Sequence, residues 1–289
     1  MALLLKDRNG EYIIVGNKQE KTLRFLYKTT SGRVVLKVLT RPLVSKTAGK
    51  FLDSRLSKFA VKSAMKKRRI VADQLEKTNF RSYNEFFTRK LKQGARDIDY
   101  TPTALISPCD SKLSVYDINE GSTFTIKDSS YTVEDLLGGD PIAKEFYGGK
   151  CLIFRLAVDD YHRYCYFDDG EKGKNTYLRG VLHTVNPIVL DHCNIYKRNS
   201  REYTVMQTKH FGEAVQVEVG ALMVGRIKNF HEEHSFKRGE EKGMFEFGGS
   251  TVVLLLKKDA ALIDSDIISN SAKNVETIVK YGERIGSKA

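Results

Sequence analysis

The sequence predicts an α+β protein, with a helical, basic N-terminal region (residues 1–100) followed by a mainly antiparallel β domain (residues 101–289). Two observations support this class. Residues 43–69 carry apolar side chains at helical spacing. From about residue 103, short runs rich in β-branched and aromatic residues follow one another, separated by turn-forming residues. The change of period predicts that helices give way to strands near residue 100.

The first predicted element is an amphipathic helix over residues 43–69. Its apolar positions are Val44, Ala48, Phe51, Leu52, Leu56, Phe59 and Ala60. Lysines and arginines occupy most of the remaining surface. Such a helix can insert its apolar face among lipid headgroups, or it can pack that face on the protein and leave its basic face in water. The residues alone leave both interpretations open.

A second, shorter helix is predicted to begin at Ser82. Ser82 and Glu85 form a capping box, in which the hydroxyl and the carboxylate bind free amides at the helix start. Phe86 and Phe87 then give the helix an apolar face, and Gly94 is placed to end it. Packing alone explains this pattern, so the residues assign the helix no chemistry.

The β domain is predicted from eight segments bounded by turn residues. These are residues 104–106, 112–116, 122–126, 152–158, 161–167, 177–185, 203–207 and 214–227. Two short helices, at 132–137 and 141–147, are expected between them, and each is followed by a Gly-Gly pair. We find no internal repeat or linker that predicts a second catalytic domain.

Charge and hydropathy restrict the partners and the location of the chain. Its 48 Lys and Arg against 36 Asp and Glu leave a net charge of +12, which favours an anionic membrane surface or a nucleic acid. No apolar run is long enough to span a bilayer, and the mean hydropathy is −0.38. The first five residues are too short for a signal peptide. We therefore expect a cytoplasmic protein that contacts the cytoplasmic face of the membrane peripherally.

Neither a metal site nor a disulfide framework is predicted. The four cysteines are widely spaced and contain no CxxC pair: Cys109, Cys151, Cys165 and Cys193. His231 and His234 flank two glutamates, but they lack the HExxH spacing, and we interpret them as solvated residues.

The segment from Lys242 to Leu256 contains the strongest chemical signal. Gly248-Gly-Ser-Thr251 separates two apolar runs, as in an ordinary hairpin turn. A glycine before serine also lets the hydroxyl approach the preceding carbonyl. If Ser250 attacks the carbonyl of Gly249, an N-to-O acyl shift gives an ester, and β-elimination then leaves a ketone-bearing group. Turn patterns alone favour the ordinary turn.

Other segments change that balance. Residues 242–251, Lys-Gly-Met-Phe-Glu-Phe-Gly-Gly-Ser-Thr, resemble the processing segment of phosphatidylserine decarboxylases. Four further segments resemble the same family in the expected order: Phe86–Arg96, Ser107-Pro-Cys-Asp110, Asp160-Tyr-His-Arg163 and Val219–Ile227. Together they cover most of the chain from about residue 80 onward.

The resemblance implies a self-processing proenzyme. Cleavage between Gly249 and Ser250 would convert Ser250 into a covalent pyruvoyl cofactor. The two products, chains 1–249 and 250–289, would stay together because residues 251–256 have the composition of a core strand. The mature enzyme would decarboxylate phosphatidylserine to phosphatidylethanolamine through a Schiff base with the pyruvoyl group. Its expected partners are phosphatidylserine and an anionic membrane surface, with no nucleic acid, and a homodimer is left open.

The resemblance also implies the residues of the site. Asp110, a histidine and Ser250 would form the Asp-His-Ser arrangement for self-cleavage, and His162 matches the family's histidine motif. Many members have a second histidine three residues later, where this chain has Cys165. His183 is the other candidate for the base. His162 is also the candidate proton donor in decarboxylation.

Two other functions remain open on the sequence. The chain could be a basic binding module for anionic lipid or nucleic acid, using its 14 Tyr and 15 Phe beside Lys and Arg. It could also be a pyruvoyl decarboxylase of a soluble amino acid. The binding module would stay a single intact chain. The decarboxylase of a soluble amino acid would act on substrates without diacyl chains. Gly220 is a further candidate, since it would allow close backbone approach to the ketone.

Overall fold

The fold is described from a computed structural model of the chain. The described residues are 3–15, 25–26, 29–32, 35, 42–67, 70–120, 124–126, 129–180, 199–220, 226–246 and 250–289. Strands account for 38% and helices for 23% of the structure. The predicted α+β class with a mainly antiparallel β domain is confirmed.

Strands dominate the described part of the chain. They are β1 (Leu3–Lys6), β2 (Tyr12–Val15), β3 (Ala104–Ile106), β4 (Ser111–Asp117), β5 (Phe124–Ile126), β6 (Ser129–Tyr131), β7 (Lys150–Leu156), β8 (Arg163–Cys165), β9 (Gly170–Lys172), β10 (Thr176–Leu178), β11 (Arg201–Thr208), β12 (Gly212–Val219), β13 (Arg226–Asn229), β14 (His234–Phe236), β15 (Glu241–Glu246), β16 (Ser250–Leu256), β17 (Ala261–Ile263), β18 (Glu276–Val279) and β19 (Arg284–Lys288).

The described helices are short. They are α1 (Pro42–Asp53), α2 (Phe59–Lys67), α3 (Tyr83–Phe87), α4 (Val133–Leu136) and α5 (Ser265–Ala272), with 3₁₀ turns at Arg55–Lys58, Ala72–Gln74 and Pro141–Phe146. The Ser82 half of the predicted capping box is present at α3, because the Ser82 hydroxyl accepts from the Glu85 amide at 3.2 Å. The Glu85 carboxylate accepts from the amide of Arg81 rather than from that of Ser82.

One large sheet organises the molecule. Its strand order is β14-β9-β11-β12-β16-β7-β4-β18-β1-β2, with β10 also paired to β11. Neighbouring strands are antiparallel except β1 and β18, which are parallel. Two three-stranded sheets, β13-β15-β8 and β17-β19-β3, complete the β domain together with the β5-β6 hairpin. Thus β16 lies near the middle of the large sheet.

Each face of the large sheet covers its own apolar core. Along β16 the side chains alternate, so Val253 and Leu255 enter one core while Val252, Leu254 and Leu256 enter the other. The first core is closed by residues of α4 and of the 3₁₀ turn that follows it. The second is closed by the two small sheets and α5. All seven residues of β16 are buried, which confirms the prediction of a core strand.

The predicted helix at residues 43–69 is divided in two. Ser54 has extended backbone angles (φ −74°, ψ 153°) and separates α1 from the 3₁₀ turn that precedes α2. The hydroxyls of Ser54 and Ser57 donate to the carbonyls of Phe51 and Leu52, at 2.6 and 2.9 Å. Serine hydroxyls compete with helical amides for such carbonyls. Periodicity alone does not reveal this competition.

Two further differences concern the strands. No strand is predicted before residue 100 from the sequence, yet β1 and β2 extend the large sheet at its edge. Within the described residues, the segment 214–227 forms the end of β12 and the start of β13, which belong to different sheets. The domain boundary at residue 100 stays a prediction.

Candidate functional site

Ser250 is the first residue of β16 and is wholly buried. Its strand is paired on both sides, with β12 and with β7, which excludes water from its backbone. Among the described residues, the Ser250 Oγ has no hydrogen-bond partner. A buried hydroxyl without a partner is uncommon and costs stability, so this position is a candidate for a functional group.

Strand register places Asp110 at the same edge of the sheet as Ser250. On one side of β7, Leu156 lies opposite Ser250 of β16. On the other side of β7, Arg155 lies opposite Lys112 of β4, and continuing this antiparallel register by one residue puts Ser111 opposite Leu156. Ser111 and Ser250 are therefore two strands apart, or roughly 10 Å. Asp110 directly precedes Ser111, the first residue of β4, so it lies just outside this strand.

Asp110 is held by a guanidinium. Arg96 donates two hydrogen bonds to its carboxylate, at 2.9 and 2.5 Å, and the Tyr281 amide donates a third at 2.9 Å. Burial of the carboxyl opposes ionisation, but the hydrogen bonds and the charge of Arg96 outweigh it, so the pKa of Asp110 is lowered. Asp110 is therefore a fixed negative charge at the edge of the sheet.

His162 is the last residue before β8 and is also fully buried. Its Nδ1 lies 3.0 Å from the Asp160 carbonyl oxygen. Because a carbonyl only accepts, Nδ1 carries the proton, and Nε2 of the neutral ring is then the basic nitrogen. The Phe87 ring packs against the imidazole, with 4.0 Å between ring centroids. The ring is thus fixed in position and tautomer.

The loop that carries His162 is anchored by two cations. Lys112 forms an ion pair with the Asp160 carboxylate at 2.6 Å, and Arg89 donates to the carbonyls of Asp159 and Asp160 at 3.3 and 2.9 Å. Burial raises the pKa of Asp160 even though Lys112 opposes the shift. These contacts hold the loop rigidly at the end of β7.

The structure therefore brings three of the predicted site residues to one edge of the large sheet: Asp110, His162 and Ser250. It pairs the Asp110 carboxylate with Arg96, and among the described residues no hydrogen bond joins Ser250 to His162. The other predicted residues, His183 and Gly249, lie outside the described residues.

Cys165 occupies the position where the family resemblance implies a second histidine. It is buried, its amide donates to the Pro108 carbonyl at 2.9 Å, and burial raises the pKa of its thiol to about 12. The thiol is therefore protonated near neutral pH and supplies no base there.

Three residues that position the site were given no role in the sequence analysis: Phe87, Arg89 and Arg96. They contact His162, the loop before it and Asp110 respectively. All three lie in the family-like segment 86–96, so the signal was present. Its composition alone suggested only an ordinary packing helix.

Gly220 directly follows β12, whose last residue, Val219, lies opposite Thr251. Ser250 precedes Thr251, so both residues stand at the same end of this strand pair. The Gly220 carbonyl accepts from Asn199 at 2.7 Å, and its amide donates to the Ser200 carbonyl at 3.0 Å. This backbone is fixed beside the candidate nucleophile.

An open cavity of about 510 Å³ lies beside the same edge. Its lining includes Arg96, which binds Asp110, and Tyr161, which precedes His162. Lys92, Glu241 and Tyr281 also line it. The cavity gives solvent and small molecules access to the surroundings of Asp110.

A separate surface is formed by α1 and α2, here called the helical arm (residues 42–67). Its apolar side chains Leu56 and Phe59 are 73% and 79% exposed. Arg55, Lys58 and Lys62 are exposed beside them. Among the described residues, no helix has the length and apolar character needed to cross a bilayer. The arm joins exposed apolar side chains to positive charge.

Comparison with known proteins agrees with the geometry. The family model for phosphatidylserine decarboxylase matches residues 83–287. "Phosphatidylserine decarboxylase proenzyme 2" of Clostridium acetobutylicum is 44% identical over 265 residues, which cover 91% of each chain. A phosphatidylserine decarboxylase proenzyme of Clostridium perfringens is 38% identical over 93% of each chain. One of Ruminiclostridium cellulolyticum is 38% identical over 99% of this chain and 98% of its own length. This chain therefore belongs to the phosphatidylserine decarboxylase family.

Proposed function

We propose that this chain is a proenzyme that cleaves itself between Gly249 and Ser250 and then decarboxylates phosphatidylserine to phosphatidylethanolamine. The observation that carries the proposal is the Ser250 hydroxyl, buried and without a hydrogen-bond partner among the described residues, in a chain of this family. A buried hydroxyl that is not consumed by structural hydrogen bonds remains available to attack a neighbouring carbonyl.

Cleavage uses the chain's own groups. The Ser250 oxygen bonds to the carbonyl carbon of Gly249 as the 249–250 peptide bond breaks, and the freed nitrogen takes a proton. Loss of the Cα proton of residue 250 then expels the Gly249 carboxylate, and water replaces the nitrogen, which leaves as ammonia. The products are a chain ending at Gly249 and a pyruvoyl group at residue 250.

The surroundings of Ser250 fit a pyruvoyl group. The group is no larger than the serine it replaces, and the free hydroxyl leaves no structural hydrogen bond to be lost. When present, it supplies a ketone that binds the substrate amine and accepts the electron pair left by departing carbon dioxide. The role of the surrounding residues is to orient the substrate and move protons.

His162 is the proposed base of cleavage and the proposed proton donor in decarboxylation. Its tautomer supports both roles, because the Asp160 carbonyl holds the proton on Nδ1 and Nε2 can accept a proton and return it. Asp110 keeps a negative charge at the same edge through Arg96, which would stabilise a protonated imidazole there. His183 remains the second candidate for the base of cleavage.

The two products are proposed to remain one folded unit. After cleavage, β16 would still pair with β12 and β7 of the larger chain, and β18 would still pair with β4 and β1. The fully buried β16 contributes to both apolar cores. Separation would expose this surface to water.

The helical arm is proposed to bind the anionic membrane surface that contains the substrate, which makes the protein peripheral on the cytoplasmic face. Leu56 and Phe59 would enter the headgroup region while Arg55, Lys58 and Lys62 face anionic lipid. An enzyme of a soluble amino acid would gain nothing from this surface. The arm thus favours a lipid substrate.

The test begins with the intact mass and denaturing-gel pattern of purified wild type, Ser250→Ala and Ser111→Ala. Ser111 is the matched control, because its hydroxyl is also buried without a partner among the described residues on the row that contains Ser250. We expect two pieces, the smaller with a pyruvoyl terminus, in the wild type and Ser111→Ala, and one uncut chain in Ser250→Ala.

Substrate class is tested with the processed protein. Release of carbon dioxide from phosphatidylserine vesicles, but not from serine or phosphoserine, supports the proposal. A wild-type chain that stays uncut in the presence of anionic vesicles contradicts self-processing. Processing followed by decarboxylation of a soluble amino acid alone contradicts the lipid substrate and leaves self-processing intact.

A further inference from the structure

Three potential metal ligands meet in the segment that precedes β16: His231, His234 and Glu240. One ligand atom from each lies within 4.8 Å of the others. The two imidazoles are stacked, with 3.8 Å between centroids and 11° between planes, and His234 Nε2 lies 2.7 Å from Glu240 Oε1. All three are partly buried. The two histidines, interpreted from their spacing as solvated, are thus partly exposed and in contact with each other.

Each group is oriented by a neighbour outside the cluster. The Tyr166 hydroxyl lies 3.3 Å from Nδ1 of His231, and Tyr166 is itself fixed by stacking on Phe236 at 4.1 Å. The Lys237 amide donates to Glu240 Oε2 at 2.9 Å, which leaves Oε1 directed at the imidazoles. Partners of this kind hold the ligands of natural metal sites in place.

The backbone beneath the cluster is also fixed. Lys172 is buried and donates to the carbonyl of His231 at 3.0 Å and to that of Glu232. The backbone that carries the first ligand is therefore held in place beside the cluster.

We propose that His231, His234 and Glu240 bind one zinc ion. Two imidazoles and one carboxylate are a donor set that zinc accepts, and a fourth position would be left for water. Bonds of 2.0–2.2 Å at tetrahedral angles place ligand atoms roughly 3.4 Å apart. An imidazole lone pair lies in the plane of its ring, so one of the two stacked rings must turn before both reach one ion. The 2.7 Å contact between His234 and Glu240 must widen to admit that ion.

The ion would fasten the segment that leads to the processing site. His231 follows β13, His234 begins β14, and Glu240 immediately precedes β15, whose last residue is only four positions before Ser250. Zinc would thus tie the start of β14, and the segment before it, to the start of β15. This role is independent of the proposed decarboxylation, and its test does not use activity.

The test is zinc binding to the untagged, metal-free full chain, followed by calorimetry, with cobalt as a spectroscopic probe of the ligands. We expect one zinc per chain and a higher thermal midpoint in its presence. His234→Ala and Glu240→Gln should each weaken binding by roughly tenfold or more and abolish the rise in midpoint. His210→Asn is the control, because asparagine can retain the donor that His210 directs at Asp168; it should bind zinc as the wild type does.

The cobalt spectrum distinguishes this cluster from a thiol site. Visible bands of a tetrahedral ion without thiolate charge transfer, lost in His231→Ala, support the proposal. Absence of saturable one-to-one binding overturns it. Binding that survives in His234→Ala and Glu240→Gln but disappears in Cys193→Ser also overturns it, since the ion would then be elsewhere. Unchanged melting of the metal-free variants verifies that they fold.

Discussion

Two regions of this protein contain apolar side chains in quite different surroundings. In β16 all seven residues, Ser250 to Leu256, are buried between paired strands. In the helical arm, Leu56 and Phe59 are 73% and 79% exposed. Similar residue types thus provide the interior in one region and a surface in the other.

The difference shows how the molecule divides its proposed tasks. The strand paired on both sides would hold the proposed nucleophile away from water and keep the proposed cleavage products together. An exposed apolar patch beside lysines and arginines has no such role within the fold, and it suits a lipid surface.

The largest effect is expected at the edge where β16 begins. His162→Asn should slow self-cleavage, and the fraction that does process should decarboxylate roughly 10²–10⁴-fold more slowly, because a positioned proton donor contributes about that much. Processed protein is assayed for carbon dioxide release from phosphatidylserine, with His210→Asn as the control. If His162→Asn processes and turns over normally, His162 has no role in either step, and His183 becomes the candidate.

Next comes a matched pair of truncations in the uncut Ser250→Ala background. Leu254→Ala removes a side chain that is fully buried and should cost about 3 kcal/mol of unfolding free energy. Leu56→Ala removes one that is 73% exposed and should change it by less than about 0.5 kcal/mol. Urea denaturation measures both. Equal losses would mean that the arm is buried in solution and would end the comparison.

The arm itself is tested by a double substitution, Leu56→Ser with Phe59→Ser. Burial of each side chain in lipid is worth about 1.5–3 kcal/mol, so vesicle affinity should fall roughly tenfold or more. Cosedimentation with phosphatidylserine vesicles measures it. Leu262→Ser is the matched control, because Leu262 is also exposed, at 62%, but lies on β17. A loss of affinity in the control as large as in the arm contradicts the assignment.

The smallest effect concerns a carboxyl group on β11. Burial, and then the nearby charge of Glu218, raise the pKa of Glu202, although a hydrogen bond from Asn229 opposes the shift. A carboxyl whose folded pKa is raised destabilises the fold progressively as pH rises through its unfolded and folded pKa values. Glu202→Gln removes this penalty, so it should stabilise the Ser250→Ala protein near pH 7 by less than about 1 kcal/mol.

The gain from Glu202→Gln should vanish near pH 4, where the wild-type carboxyl is mostly protonated in both the folded and the unfolded state. Urea denaturation at the two pH values measures the difference. A gain that is the same at both would show that packing rather than ionisation causes it.

Much of the fold followed from local patterns. The strands at Ala104–Ile106, Ser111–Asp117 and Ser250–Leu256 were predicted from β-branched and apolar runs. The helix start at Ser82 followed from its capping box. Each of these signals depends on neighbours in sequence, so it survives without knowledge of the fold.

Other features depend on residues distant in sequence. The strand Leu3–Lys6 pairs with Glu276–Val279, and the Arg96 guanidinium binds Asp110. Their composition does not reveal these partners. Glu240 likewise lies beside His231 and His234 through the fold, and the spacing of the two histidines does not reveal this third neighbour.

The sequence by itself therefore determined the fold class, the processing segment around Ser250 and the family resemblance, because these are written in local spacing and in ordered motifs. The tertiary structure decided which side chains surround each functional group. It brought Asp110, His162 and Ser250 to one edge, paired Asp110 with arginine, and left Leu56 and Phe59 exposed. The physical reason is that strand register and burial are set by contacts between distant segments, and local periodicity does not encode them.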